Sequence, residues 1–153
     1  MNGVWHFVHY LAFTAWLGGA LSAMVAGITM RRIDRMLWGA VVDAQAAIYR
    51  VLIGPGAIVT LLSGIVITMQ MYSGLSGGQA GSWLGMMQGA GFVGALVTLL
   101  GAMPAAFKLS RLEPLGAQAA AFDALRSRLA ITGSIGGSLG LIALLAGAFY
   151  RRV

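Results

Sequence analysis

The sequence predicts an all-α protein, an integral membrane four-helix bundle. Hydrophobic residues make up 59% of the chain and charged residues only 9%, and the mean hydropathy is +0.85. An average soluble domain is about half apolar and about one quarter charged, so this composition indicates a membrane protein. Three stretches contain no Asp, Glu, Lys or Arg, namely residues 1–30, 51–107 and 129–150.

The uncharged stretches predict four membrane-spanning helices. A helix needs about 20 apolar residues to cross the hydrocarbon core, so the first and last stretches hold one helix each and the middle stretch holds two. Glycines and serines interrupt the apolar pattern from Ser73 to Ser82 and predict a short loop there. A membrane β-barrel would instead show short segments of alternating polarity. The predicted helices lie near residues 4–30, 51–72, 83–107 and 129–150.

The second predicted helix carries a proline near its start, in the sequence LIGPGAIVT. Proline removes one backbone hydrogen bond and clashes with the carbonyl four residues earlier, so we expect a kink or a helix junction near Val51. Residues 36–50 and 115–128 have leucines and aromatic residues at helical spacing. We expect both segments to form helical extensions at the inner membrane surface.

The basic residues predict the orientation of the chain. Eight of the ten flank the first and third connections, two follow the last helix, and the second connection has none. Connections rich in Lys and Arg stay in the cytoplasm, so we expect the N-terminus, the C-terminus and the second connection to lie outside. The first basic residue, Arg31, follows the first apolar run, so we expect this helix to be retained rather than cleaved as a signal peptide. Topology accounts for the positive charge, and no nucleic-acid partner is expected.

Residues 1–153 are expected to form a single transmembrane domain in contact with the lipid bilayer. A shift of 78 residues superposes Trp5 on Trp83 and Arg50 on Arg128. This match is consistent with a parallel repeat of two helical hairpins. It is equally consistent with unrelated hairpins, because membrane helices commonly carry an aromatic residue at the outer end and an arginine at the inner end. Small residues at four-residue spacing predict close contacts, either inside the bundle or with a second copy or another membrane protein. These small-residue stripes are Ala15, Gly19, Ala23 and Gly27 in the first helix, Gly81, Gly85 and Gly89 in the third, and Gly133, Gly136, Gly137 and Gly140 in the fourth.

The absence of certain side chains limits the available chemistry. The chain has no cysteine, which excludes disulfides, thiolate metal sites and iron–sulfur clusters. No Asp, Glu, Lys or Arg lies within a predicted span, which disfavours ion-coupled transport and proton pumping. The two histidines, His6 and His9, both lie near the start of the first helix. At about 100° per residue, His9 shares a face with Trp16 and Gly27, so we expect it to point into the bundle.

Methionines lie at a similar depth to the histidines, at the outer ends of the second and third helices. Imidazole and thioether groups can bind haem iron through His with or without Met, or Cu(I) through sulfur and imidazole. The alternative interpretation is that the methionines only pack and the histidines form hydrogen bonds near the interface. The candidate haem residues are His9, His6, Met87, Met86 and Trp16, and the candidate copper ligands are His9, His6, Met69, Met71, Met86 and Met87.

The first-helix sequence VHYLAFTAWLGGAL, with His9 and Trp16, resembles that of a group of small bacterial inner-membrane proteins. The group comprises the HemJ-type protoporphyrinogen oxidases, the CopD-like copper-resistance domain and families of predicted four-helix integral membrane proteins. The sequence PGAIVTLLSGIVIT, residues 55–68, resembles the second helix of the last of these. The resemblance implies a location in the bacterial inner membrane and an association of His9 with haem b. The signature of leucine, proline, arginine and tyrosine-histidine that follows in HemJ-type proteins is absent, so the resemblance does not imply protoporphyrinogen oxidation.

Three functions are therefore open at the level of sequence. In the first, the outer half of the bundle binds haem b through His9, with Met87, Met86 or His6 as second ligand, for redox chemistry or electron transfer. In the second, the outer methionines and histidines bind copper. In the third, the protein is a non-catalytic accessory subunit that packs against a membrane partner through its glycine stripes. The sequence leaves open whether the protein is an enzyme.

Overall fold

The structure is a computed structural model that describes residues 2–71 and 79–150. The regular structure of these residues is entirely helical. The α-helices are α1 (Asn2–Thr29), α2 (Trp38–Ile48), α3 (Gly54–Met71), α4 (Gln79–Leu96), α5 (Met103–Leu109) and α6 (Ala119–Tyr150). Short 3₁₀ turns lie at Met30–Arg32, Arg35–Leu37 and Gly116–Gln118, and π-helical turns at Tyr49–Ile53 and Val97–Ala102.

These elements combine into four long helical segments. They cover Gly3–Arg32, Arg35–Gln70, Gly81–Leu109 and Gly116–Phe149, and each is long and apolar enough to cross a membrane. The chain is therefore a multi-pass helical membrane protein, and the predicted all-α four-helix bundle is confirmed. The predicted loop falls mainly on residues 72–78, which lie outside the described residues, and α4 begins at Gln79, four residues before the predicted start.

Each π-helical turn lies directly before a proline. Pro55 follows the turn Tyr49–Ile53, and Pro104 follows the turn Val97–Ala102. Each proline ring clashes with the carbonyl four residues earlier, which falls inside the preceding turn, and each proline also lacks a backbone N–H. The wider hydrogen bonding of a π-helical turn accommodates both effects without ending the helix. The junction predicted near Val51 is thus a π-helical turn inside one continuous helix.

Residues 36–50 are helical as predicted, and one side of this segment packs into the bundle. Val42, Gln45, Ala46 and Tyr49 are all buried. The π-helical turn joins α2 to α3 without a break, so the core of the bundle continues along α2.

The four long segments pack as two pairs. α1 lies mainly against α3, and α4 lies mainly against α6, while α1 also contacts α6 and α3 contacts α4. The closest approach of α1 and α3 is at Gly56. A Cβ atom placed on Gly56 would lie 2.8 Å from both the Ala12 carbonyl oxygen and the Trp16 backbone nitrogen. Glycine is therefore the residue that allows these two backbones to touch.

Two of the three small-residue stripes contact other helices of this chain, and the third does not. Gly19 packs against Ile53, and Gly140 packs against Leu17, so the stripes of α1 and α6 make contacts inside the bundle. The stripe of α4 does not, because added Cβ atoms at Gly81, Gly85 and Gly89 would meet no atom within 4 Å. Close contact inside the bundle is thus confirmed for the stripes of α1 and α6, while for the stripe of α4 contact with a second copy or another membrane protein stays a prediction.

Polar contacts join the two connections that are rich in arginine. The Arg35 guanidinium donates hydrogen bonds to the Pro114 carbonyl at 2.7 Å and to the Asp123 carboxylate at 2.8 Å. Arg35 and Arg126 also lie over the Trp38 ring, at 4.9 and 4.7 Å from its centroid. We call this end of the bundle the basic end, and the opposite end, with His6 and His9, the histidine end.

Candidate functional site

The His9 side chain lies between α1 and α3 and contacts Ser63. His9 Nδ1 is 3.0 Å from Ser63 Oγ. The Ser63 hydroxyl lies 2.6 Å from the Val59 carbonyl and 3.2 Å from the Thr60 carbonyl, and it donates its single proton to a carbonyl. Ser63 Oγ can therefore only accept from His9, which assigns the proton of the neutral imidazole to Nδ1. The lone pair available to a ligand is then on Nε2.

The His9 ring has a second contact on α3. The hydrogen-bond partners found for this ring among the described residues are the Ser63 hydroxyl and the backbone of Thr60. The His9 side chain is half-buried. A ring fixed through Nδ1 by a hydroxyl is the arrangement in which histidine ligates a metal through Nε2.

Glycine and aromatic residues hold the His9 ring in place. A Cβ atom on Gly64 would lie 3.3 Å from His9 Cε1, so the ring occupies space that any larger residue at position 64 would reduce. The His9 ring stacks on Phe13 with centroids 6.4 Å apart, and Phe13 meets Trp16 edge-on at 5.9 Å. His9 is therefore the first member of an aromatic row that leads into the core.

The inner end of this row carries two buried polar atoms without partners. Trp16 is fully buried, and neither its Nε1 donor nor the Thr60 Oγ1 atom on α3 has a hydrogen-bond partner among the described residues. Buried polar groups are usually satisfied, and an unsatisfied one costs about 1–3 kcal/mol. The interface between α1 and α3 therefore concentrates polar groups in an otherwise apolar bundle.

The other candidate ligands, His6 and Met87, lie away from the contact between His9 and α3. His6 is half-buried and lies one turn closer to the end of α1, beside Tyr10 with ring centroids 6.4 Å apart. Met87 packs against α6, where its Sδ atom would lie 3.0 Å from a Cβ atom on Gly147. α1 and α4 are not among the helix pairs in substantial contact, so His9 and Met87 belong to different helix pairs.

The other candidate methionines are exposed or outside the described side chains. Met69 is 74% exposed and Met86 is 42% exposed, which in a bundle of this kind means contact with lipid or the membrane interface. The side chain of Met71 lies outside the described residues. Within the described part of the chain, no group of three or more His, Asp or Glu residues is placed to hold a metal ion.

Ser63 is a residue of the candidate site that the sequence analysis did not single out. The sequence indicates Ser63 only through its distance from the end of its helix. His9 is the eighth residue of α1, and Ser63 is the ninth from the end of α3. In an antiparallel pair of helices, these positions lie at nearly the same height.

No match to the chain was found among protein-family models, curated proteins or solved structures. The resemblance of its first helix to HemJ-type and CopD-like proteins therefore stays a prediction.

Proposed function

We propose that this protein binds haem b at the histidine end through His9 Nε2, in the bacterial inner membrane, and serves electron transfer. One observation carries the proposal: the hydrogen bond from His9 Nδ1 to Ser63 Oγ, which fixes the ring through Nδ1 so that Nε2 is the nitrogen that would bind iron. Partners of this kind fix the tautomer and orientation of a metal-ligating histidine, and their removal typically weakens metal binding by about 10–100-fold.

The donor set fits one protein ligand to haem. His9 is half-buried, and Phe13 and Tyr10 flank its ring with centroids at 6.4 and 6.2 Å. The chemistry that haem supplies when bound is one-electron transfer at iron. The chain's own contribution is to orient the imidazole through Ser63 and to stack the Phe13 ring against it.

The proposal is tested by the absorbance spectrum of the purified protein after haem supplementation. We expect a Soret band that is lost in His9→Ala and that requires about 10-fold more haem for saturation in Ser63→Ala. His6→Ala and Met87→Leu are matched controls, because His6 lies one turn away and Met87 packs against α6; both should keep the band. A spectrum without a Soret band, or one that is unchanged in His9→Ala, would refute the proposal.

Measurements on the same purified protein distinguish the two other functions that the sequence left open. No observation in the structure favours copper, because the described methionines have different surroundings. Stoichiometric copper that is lost on replacement of Met69 and Met86, with no haem, would establish copper binding. Co-purification of a stoichiometric partner with neither metal nor haem would establish an accessory subunit.

A further inference from the structure

A groove opens between α1 and α6 in the half of the bundle nearest the basic end, and its volume is about 480 Å³. The residues of α1 and α6 that line it recur every three or four positions, so each helix presents one continuous face to the groove. Leu17, the last lining residue of α1 toward the histidine end, packs against Gly140 and closes the groove there. From this contact the groove runs to Arg31 and Arg126 at the basic end.

Buried residues of α2 and of the π-helical turn that follows it form the floor of the groove. Gln45 is 5% exposed and Tyr49 is 4% exposed, and both belong to the lining. A Cβ atom on Gly27 would lie 3.2 Å from Gln45 Nε2, and one on Gly133 would lie 3.0 Å from Tyr49 Oη. The two glycines therefore let the floor pack against both walls, so the groove is part of the fold and needs no occupant to open it.

The walls of the groove suit an acyl chain. The wall on α1 runs from Arg31 to Leu17, which is 14 residues or about 21 Å of helix. Half of the hydrocarbon core is roughly 15 Å thick, so one chain can lie along the groove within its own leaflet. The edge residues Leu21, Met24 and Ile28 are about half exposed, so the groove opens sideways to lipid. The two serines of the wall on α6 can turn their hydroxyls to carbonyls of their own helix.

Two arginines without acidic partners lie at the open end of the groove. Arg31 and Arg126 both line it, and neither makes an ion pair within the described residues. The Arg126 guanidinium lies 4.7 Å from the centroid of the Trp38 ring, which holds it in place, and the Asp123 carboxylate on the same helix is paired with Arg35. Guanidinium groups bind phosphate oxygens through paired N–H donors. Both positive charges are therefore available to an anionic headgroup.

We propose that this groove is a binding site for one anionic glycerophospholipid. One acyl chain follows the groove toward Leu17, the second chain stays in the surrounding lipid, and the phosphate pairs with Arg31 and Arg126. Basic pockets between membrane helices select anionic lipids, because each Lys or Arg near the surface attracts a negative headgroup. A zwitterionic lipid carries the same phosphate, but its ammonium group offsets this attraction. The site does not depend on His9 or on haem.

The positive charge also disfavours a second copy of the chain as the occupant. A dimer formed through this face by two-fold symmetry within the membrane would bring the groove arginines of both copies to the same end of the interface. Like charges that meet there repel one another, whereas a lipid phosphate neutralises them.

The test is lipid binding, measured by native mass spectrometry on the purified protein in a non-ionic detergent. The probes are phosphatidylglycerol and phosphatidylcholine with the same acyl chains, each titrated separately. We expect one phosphatidylglycerol to bind per chain, about fivefold or more tightly than phosphatidylcholine, because it lacks the ammonium group. Equal affinity for the two lipids would overturn the proposal.

Two pairs of arginine substitutions distinguish a defined site from general attraction to the basic end. Arg31→Gln with Arg126→Gln removes the arginines of the groove, and Arg32→Gln with Arg128→Gln removes the same charge from the same two helical segments outside the lining. We expect the first pair to weaken phosphatidylglycerol binding about 25-fold, or about fivefold for each arginine, and the second pair to have little effect. Equal weakening by both pairs would show diffuse attraction only and would contradict the site.

A pair of glycine substitutions tests the position of the acyl chain. Added Cβ atoms at Gly137, in the groove, and at Gly89, on α4 outside it, both meet no atom within 4 Å, so we expect leucine at either position to leave the helix packing unchanged. Gly137→Leu should lose most of the bound phosphatidylglycerol, and Gly89→Leu should keep it. Full retention in Gly137→Leu would refute the assignment of the groove. A dimer that persists without lipid and is lost in Gly137→Leu would refute it too, because the groove would then belong to a second copy.

Discussion

The close approach of α1 and α3 at Gly56 predicts a large effect from the addition of a single methyl group. In Gly56→Ala the new Cβ would lie 2.8 Å from two backbone atoms of α1 and 3.2 Å from Trp16 Cα. Non-bonded atoms prefer about 3.5 Å or more, so the helices must separate by about 0.7 Å. Overpacking of this kind costs about 1–3 kcal/mol, offset by up to about 1 kcal/mol from the better helix propensity of alanine. We expect a net loss of about 1–2 kcal/mol.

The assay is reversible unfolding of the purified protein in detergent, followed by the fluorescence of Trp16 and the other tryptophans. Gly89→Ala is the matched control, because its added Cβ meets no atom within 4 Å. This control should be as stable as the parent protein or slightly more stable. The reasoning also predicts weaker haem binding in Gly56→Ala, since Ser63 lies two turns farther along α3 and moves with it. Equal stability of Gly56→Ala and Gly89→Ala would refute the contact on which this prediction depends.

Three other predictions use the same unfolding assay. In Gly136→Ala the added Cβ clashes with the Thr98 hydroxyl, so stability should fall, and the further change Thr98→Ala should restore part of it; no recovery in the double variant would contradict this contact. Gln45→Leu should change stability by no more than about 1 kcal/mol, because losing the 2.7 Å bond from Nε2 to the Ala23 carbonyl is offset by removing the buried acceptor Oε1, which has no partner among the described residues; a much larger loss would contradict this balance. Arg35→Gln should cost no more than about 1 kcal/mol, and less at high salt, because Arg35 and Asp123 are both partly exposed; a larger cost that is independent of salt would contradict a solvent-screened pair.

The number of membrane helices and their approximate ends could be predicted from the sequence. Hydrocarbon excludes charged side chains so strongly that uncharged stretches of sufficient length leave few alternatives. The hydroxyl groups of Ser63, Thr68, Thr98 and Thr132 each donate to a carbonyl of their own helix, four residues earlier. Such bonds are local, so they need no knowledge of the tertiary structure.

The partners of each helix could not be predicted, because lipid gives apolar helices little preference for one neighbour over another. The pairing of α1 with α3 depends on details such as Gly56 fitting against Ala12, which no hydropathy pattern records. For the same reason, the sequence could place His9 and Met87 at similar depth but could not show that Met87 faces α6. The burial of Gln45 could not be predicted from its neighbours, since a glutamine two residues from an aspartate, here Asp43, is typical of an exposed helix surface.

The π-helical turn Tyr49–Ile53 lies between the two ends of the molecule. Tyr49 begins this turn and is buried, and the α-helix that continues from the turn carries Ser63 toward the histidine end. A π-helical turn holds one more residue than an α-helical turn, so the insertion or loss of one residue there would change the rotation of α3 about its axis. The geometry of this turn therefore contributes to setting which side of α3, and so which hydroxyl, faces His9.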